Sequence, residues 1–172
     1  MQMHQLIPGL SDAGENVITG FAIDHRKIAA GSIFGAFQGA KVNGEDFIAE
    51  AIAAGAIAVV ARPGLDIQGV AYIAEENPRR AFARLAAKFY QPVPSHIAAV
   101  TGTNGKTSTA ELTRQLWRMA GHSAASIGTL GITTADEQVS TGLTSPDIVT
   151  FLANMAGLAR EGVSHAIFEA SS

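Results

Sequence analysis

The sequence predicts an α/β fold in two consecutive domains, and three observations carry that prediction. Short apolar strands alternate with capped amphipathic helices, a proline-bearing stretch interrupts the pattern near mid-chain, and one strand runs through a glycine-rich turn straight into a helix. The chain has 172 residues, 47% of them hydrophobic and only 16% charged. That length and composition support a real hydrophobic core and exclude a disordered tail or a coiled coil.

Taken in order, Ile33 to Phe37 reads as a strand, and Asp46 as the N-cap of a helix that runs to Ala54 and stops at Gly55, a residue suited to a left-handed turn. Ile57 to Val60 and Val70 to Ile73 are strands bounded by turn residues. Asn77 caps a helix with Pro78 in its first turn, and Phe82, Leu85, Ala86 and Phe89 fall at i, i+3, i+4 and i+7 on one face. The segment QPVPS, starting at Gln91, is a stiff connector that sets a domain boundary at about residue 93. Beyond it, Ile97 to Thr101 is a strand, and Lys106 to Ala120 a helix that ends at Gly121 and is expected to bury Leu112, Leu116 and Met119 or Ala120. A further helix is expected to start with Ser145 as N-cap, Pro146 at its first position and Asp147 in its first turn, and to end before Gly162. His165 to Glu169 closes the pattern as a strand. The fold class is thus an N-terminal α/β domain, residues 1–93, followed by the first half of a phosphate-loop α/β domain, residues 94–172.

Charge and composition narrow the function classes. Twelve basic residues against 15 acidic ones, a net charge of −3, exclude a broad basic surface for nucleic acid. With no cysteine there is no disulfide framework, zinc–thiolate site or catalytic thiol, which fits a reducing compartment. The longest apolar run, Ala51 to Ala61, is shorter than the ~20 residues needed to cross a bilayer and contains Gly55. The start, MQMHQLIPGLSD, has neither the cationic head nor the apolar core of a secretory signal. The expectation is a cytoplasmic protein with no membrane insertion.

The sharpest chemical signal is Gly102-Thr103-Asn104-Gly105-Lys106-Thr107-Ser108, between the strand IAAVT and an amphipathic helix. A strand feeding such a turn into a helix aims backbone N–H groups and the positive end of the helix dipole at one point, which suits a polyphosphate. Lys106 would then meet the β- and γ-phosphates, and the Thr107 hydroxyl a magnesium ion. Only two residues separate Gly102 from Gly105, so the loop departs from the GxxxxGK[ST] spacing. The competing reading is an ordinary turn with a solvated lysine; the coincidence of strand, loop, Lys-Thr pair and helix favours phosphate. Glu169 ends a strand on the side where open α/β sheets place ligand-binding groups. His165 lies ~13 Å from it along a strand at ~3.3 Å per residue, so the two should not share a metal, and His165 reads as structural.

VTGTNGKTST resembles the nucleotide loop of the Mur ligase family, the ATP-dependent amide ligases of peptidoglycan precursor synthesis. Ile23-Asp24-His25-Arg26 followed by Gly31 to Gly39 resembles the family's LDSR…GDLFVA…G pattern, Ile127 to Gly131 its IGTLG, and Leu143 to Asp147 its TTPD. The last residues, Phe168 to Ser172, resemble the start of EVSSH. The resemblance spans the chain. It implies an N-terminal domain that binds the UDP-MurNAc substrate, then the first part of a central ATP-binding domain, with the rest of that domain and a C-terminal domain absent. It implies ATP and Mg²⁺ as cofactors and, in an intact monomeric protein, addition of the third amino acid to UDP-MurNAc-L-Ala-D-Glu through an acyl phosphate, with meso-diaminopimelate the favoured amino acid. The 172-residue chain alone is expected to be inactive. IGTLG and the TSPD block favour this ligase over the MurF type, which adds a dipeptide at the next step. Folylpolyglutamate synthetase shares a GTNGK loop but lacks the N-terminal pattern. A non-catalytic module that holds UDP or a nucleotide is the reading from a different class.

The same resemblance assigns ATP binding to Gly102, Thr103, Asn104, Gly105, Lys106, Thr107 and Ser108, with Lys106 catalytic and Thr107 and Glu169 as Mg²⁺ ligands. It assigns substrate binding to Ile23, His25, Ala40, Lys41, Val42, Thr144, Ser145 and Ser171. His25 stands where the family has serine, and Ser145 is equally a helix cap. Asp24 and Arg26 either shape the substrate loop through a salt bridge or contact substrate. Trp117, beside Leu116, reads as a packing residue.

Overall fold

A computed structural model of the chain describes residues 1–7, 16–39, 42–139 and 146–170. It contains two compact units, Met1–Phe89 and Tyr90–Ser172, divided just ahead of the proline-bearing segment. The predicted α/β class is what the structure shows. Among the described residues no helix is long and apolar enough to cross a membrane.

The first unit is built on four parallel strands in chain order, β1 (Gly20–Ala22), β2 (Ser32–Gly35), β3 (Ala56–Ala61) and β4 (Ala71–Ala74). β2 is buried along its whole length and β3 nearly so, which is why both read as continuous apolar runs rather than alternating ones. The helices are α1 (Met3–Leu6), α2 (Ile48–Ala53) and α3 (Pro78–Phe89). Asn77 caps α3 as expected, its Oδ1 accepting from Arg80 N at 3.1 Å. α3 buries Phe82 between Phe21 and Phe37, with edge-on rings 5.3 and 5.4 Å away. Asp46 is not a helix N-cap. A 3-10 turn, Gly44–Phe47, precedes α2, and Asn43 caps it by accepting from Glu45 N at 3.2 Å. The cause is a close approach: Gly44 N donates to Phe37 O at 2.8 Å, and a Cβ on Gly44 would lie 2.9 Å from the Phe37 backbone. The turn therefore starts at the glycine, and Asn43 is the residue placed to cap it.

The second unit holds β5 (His96–Val100), α4 (Lys106–Met119), β6 (Ala124–Gly128), β7 (Gly131–Thr133), β8 (Gln138–Val139), α5 (Ile148–Arg160) and β9 (His165–Glu169). Its sheet order is β5-β9-β6-β7-β8, parallel across the first three strands and antiparallel thereafter. Ala125, Ile127, Met155, Leu158 and Ala166 form its core.

Two expectations fail in this unit. Leu112, Leu116 and Met119 are not buried: they are 60%, 63% and 84% exposed, and Ala120 is exposed as well. α4 turns its Ala110 and Arg114 face toward β6 and β9 instead, because Arg114 is ion-paired and hydrogen-bonded inside, and the leucine stripe is left outward. The cap of α5 is Asp147, not Ser145, which lies outside the described residues. The Asp147 carboxylate accepts from Val149 N and Thr150 N at 3.0 Å each and from the Thr150 hydroxyl at 2.9 Å. One side chain thus satisfies two of the orphan N–H groups of the first turn.

His165 is structural, as expected, but in an unforeseen way. Its ring is stacked between His96 and His122, with centroids 4.3 and 4.1 Å away, and Trp117 tilts against it at 5.2 Å. Burial, and then the neighbouring charges of His122 and His96, push the His165 pKa below its ordinary value. The unfolded chain therefore binds more protons than the folded one below pH ~6.5, so stability is complete above that value and is lost as pH falls through the folded pKa. Thermal melts between pH 8 and pH 5 should show this acid-side loss, and His165→Phe, which keeps a stacking ring, should flatten it; an unchanged slope in the variant would refute the His165 imidazole as its origin. Asp147→Ala should cost about 0.5–2 kcal/mol in denaturant unfolding of the second unit, and Ser145→Ala much less.

Candidate functional site

The predicted loop begins where β5 ends. Gly102 has φ +139° and Gly105, the N-cap of α4, has φ +79°, backbone conformations that side chains disfavour. No side chain caps α4, so its first N–H groups remain available at the mouth of the loop. Lys106 folds back, its Nζ donating to Gly102 O at 2.5 Å, and holds the ammonium over the glycine turn. Gly102, Lys106 and Thr107 are half-buried, while Thr103, Asn104, Gly105 and Ser108 are exposed.

β5 and β9 are in register so that Val100 pairs with Glu169, which sets this carboxylate beside the start of the loop. Glu169 is only 5% exposed. Its Oε2 accepts from the Thr107 hydroxyl at 3.1 Å and from the Thr129 hydroxyl at 3.3 Å, and its Oε1 accepts from Thr129 N at 3.0 Å. Among the described residues it has no ion-pair partner. The structure thus brings Thr107 and Glu169 together, 62 residues apart in sequence. It also adds two residues to which no role was assigned from the sequence, Gly128 and Thr129. A Cβ on Gly128 would fall 2.0 Å from Glu169 Oε1, so only glycine fits there. A glycine at a strand end marks a close approach of this kind, and that was the available signal.

Magnesium is tested by the donor set. A buried carboxylate held only by neutral donors, facing a hydroxyl, offers the hard oxygen ligands that Mg²⁺ prefers. Among the described residues no group of three or more His, Cys, Asp or Glu converges as a metal cage. That suits an ion that keeps waters and phosphate oxygens and takes one or two protein ligands. The residues present fit Mg²⁺ bound together with a polyphosphate.

In the first unit, His25 stacks flat on Phe47, with centroids 4.3 Å apart and planes within 4°. Asp24 grips Arg26 through three bonds of 2.8 to 3.0 Å, and this contact holds its carboxyl down at about 2. The Asp24–Arg26 pair therefore shapes the turn that carries His25. Ile23 and Val42 are exposed, at 36% and 59%. Ala40, Lys41, Thr144, Ser145 and Ser171 lie outside the described residues.

The close approach at Gly128 yields a direct test. Gly128→Ala should displace the Glu169 carboxylate and destabilise the second unit by about 1–3 kcal/mol, the usual cost of overpacking. A denaturation curve identical to that of the unmodified chain would contradict the geometry.

Comparison with known proteins places this arrangement. Residues 17–101 match the Mur ligase family catalytic domain, and residues 100–172 the Mur ligase middle domain. A relative in Zymomonas mobilis, named UDP-N-acetylmuramoyl-L-alanyl-D-glutamate--2,6-diaminopimelate ligase, is 63% identical over 90% of this chain and 32% of its own length. A relative of the same name in Bradyrhizobium diazoefficiens is 48% identical, with the same coverage. A solved structure described by that name superimposes with a TM-score of 0.84 at 28% identity, over 99% of this chain and 36% of that one. The MurF ligase from Thermotoga maritima, solved in complex with ADP, shares the fold with a TM-score of 0.59 at 23% identity, over 88% of this chain and 32% of that one. The chain spans about a third of the length of the curated relatives it matches. With the loop, the Thr107–Glu169 pair and matches that together run from residue 17 to residue 172, the chain belongs to the Mur ligase family.

Proposed function

We propose that this chain is the nucleotide-binding part of an ATP-dependent ligase that adds 2,6-diaminopimelate to UDP-MurNAc-L-Ala-D-Glu. Residues 1–93 form the part that binds the UDP-sugar substrate, and 94–172 the first part of the ATP-binding domain. The observation that carries this reading is the Thr107 hydroxyl facing the buried Glu169 carboxylate at 3.1 Å, directly behind the Gly102–Ser108 loop. The relatives' names support the amino acid and favour this ligase over the MurF type. A cytoplasmic location follows from the nucleotide-linked substrate.

In the reaction, a substrate carboxylate oxygen attacks the γ-phosphorus of ATP and ADP leaves. The incoming amine then attacks the acyl carbon of the resulting acyl phosphate, and inorganic phosphate departs as the amide forms. Both steps gather anions, so the cost lies in charge that builds on the phosphoryl oxygens. The N–H groups of Gly102 to Ser108 cradle the β-phosphate side. Lys106 exchanges its bond to Gly102 O for the γ-phosphoryl oxygens and neutralises charge there. Thr107 and Glu169 would hold Mg²⁺, which when bound would supply positive charge against the repulsion among the phosphate oxygens. In the first unit His25, on its Phe47 platform, offers a ring N–H to a uracil or diphosphate oxygen, and the family resemblance adds Ile23, Ala40, Lys41 and Val42 to the same role. The family resemblance also assigns substrate binding to Thr144, Ser145 and Ser171.

Calorimetry of the 172-residue chain with ATP, with and without Mg²⁺, tests the site. Lys106→Ala should weaken ATP binding in both conditions, while Glu169→Gln should remove most of the gain that Mg²⁺ gives and leave metal-free binding near its original value. Equal losses in both conditions for Glu169→Gln would sink its assignment as a metal ligand. In the longer protein, Lys106→Ala should lower ligation by about 10²-fold or more without loss of UDP-MurNAc-dipeptide binding.

A further inference from the structure

α4 wears its amphipathicity inside out. Leu112, Leu116 and Met119 face outward, whereas Arg114 is buried to 5% exposure against the sheet. Its Nε donates to Glu111 Oε2 at 2.9 Å and its Nη2 to Glu111 Oε1. The third arm, Nη1, donates to Thr134 O at 3.0 Å, across to the strand end beyond β7. Gln115 adds a bond to Glu111 Oε1 at 2.8 Å, and Ser126 of β6 approaches Glu111 Oε2 at 3.5 Å. The guanidinium contact holds the Glu111 carboxyl down at about 2, so the pair stays ionised across the working range.

A buried pair of this kind is weak as a stabiliser, because desolvation offsets most of the attraction and apolar replacements are often as stable; its best-attested use is to fix register. Register is what the positions suggest. Thr107, Glu111 and Arg114 fall at i, i+4 and i+7, one face of α4. Ser126 lies in β6 and Thr134 just past β7, and between them Gly128 ends β6 with no Cβ to crowd Glu169 while Thr129 in the turn holds it. The hairpin is therefore pinned to α4 at two levels, through Glu111 and Arg114 mid-helix and through Glu169 and Thr107 at the helix start.

We propose that Arg114, acting through Glu111 and Thr134 O, is a positioning residue that sets the β6–β7 hairpin against α4 so that Thr129 aims the Glu169 carboxylate at Thr107. Its consequence for metal binding rests on the nucleotide site proposed above; its consequence for Thr129 does not. Glu169 is the group that would meet the metal, and Arg114 works one step behind it.

The first measurement is the ¹⁵N–¹H resonance of the Thr129 amide in the nucleotide-free chain, with Glu169→Gln marking its position when the charged acceptor is lost. Arg114→Met should move this resonance toward the Glu169→Gln position and speed its hydrogen exchange, while Ala166 and Ile167 in the middle of β9 stay in place. A Thr129 amide that does not move overturns the proposal. The second is Mn²⁺-dependent ATP binding followed by electron paramagnetic resonance. Arg114→Met should weaken it by about tenfold, as loss of outer partners of metal ligands does, with metal-free ATP binding unchanged. In a Glu169→Gln background the same substitution should have little further effect, since the two act on one group. Additive losses, or an equal loss of metal-free binding, indicate a merely structural role and overturn the proposal. Should Arg114→Met not fold, Arg114→Lys, which keeps the charge but not the three-armed fork, is read in the same two measurements. Absence of any metal-dependent ATP binding by the unmodified chain would refute the nucleotide reading, and the Thr129 amide would still decide the positioning role.

Discussion

A buried carboxylate held by three neutral hydrogen-bond donors is the constraint on which the second unit depends. Glu169 sits at the end of β9 with Thr107 on one side and Thr129 on the other. To reach it, Thr107 has to begin α4 next to the end of β5, which requires the short glycine turn at Gly102 and Gly105. For Thr129 to reach it, the β6–β7 turn has to close over the carboxylate with no Cβ at Gly128. Burying a charge without such donors would cost several kcal/mol, so each of these local choices is tied to the same group. The parallel register of β5, β9 and β6 aligns the ends of three strands and makes this convergence possible.

Much of this frame is legible in the sequence because it is written in local chemistry. The Gly102 to Ser108 loop, the Asn77 cap and the left-handed glycines Gly55, Gly121 and Gly162 each follow from backbone demands within a few residues. What failed was long-range. Periodicity puts Leu112 and Leu116 inside, yet whether a helix face is inward depends on what the facing strands offer. In this unit they offer Thr134 O and Ser126, partners for a charged pair, and Arg114 goes in. Ser145 and Asp147 are both eligible caps by residue type, and it is Asp147, extended just before α5, whose carboxylate accepts from the helix N–H groups. Strands β6 to β8 are hard to read because AASIG is mostly small residues and the next two strands are only three and two residues long; their pairing, more than their composition, makes them strands.

The first unit shows the same division between local and distant causes. Asp24 and Arg26 are two residues apart, and their salt bridge is readable from the sequence alone. The Phe47 platform under His25 is not, since it depends on a 3-10 turn fixed by the contact of Gly44 with the Phe37 backbone. Serine in place of His25 would have no use for that platform. The Phe47 face holds the imidazole plane parallel to its own, within 4°, and so limits rotation of the His25 side chain about its χ angles.

Two side chains of the loop are already paired within the protein, and this bears on how it would take up a nucleotide. Lys106 spends its ammonium on Gly102 O, and the Thr107 hydroxyl proton points to Glu169. On the proposed reading neither contact would survive phosphate and cation binding unchanged: the lysine would turn outward, and the Thr107 proton would swing away from Glu169. Each exchange trades a bond worth about 0.5–1.5 kcal/mol, or somewhat more where one partner is charged, for a stronger one to a fully ionised group. These bonds keep the lysine ammonium and the Thr107 hydroxyl paired. Thr129 N, which holds Glu169 Oε1 at 3.0 Å, would take no part in that exchange. The proposed metal ligand is thus already oriented toward Thr107, and on this reading only a lysine side chain and one hydroxyl rotor would need to move.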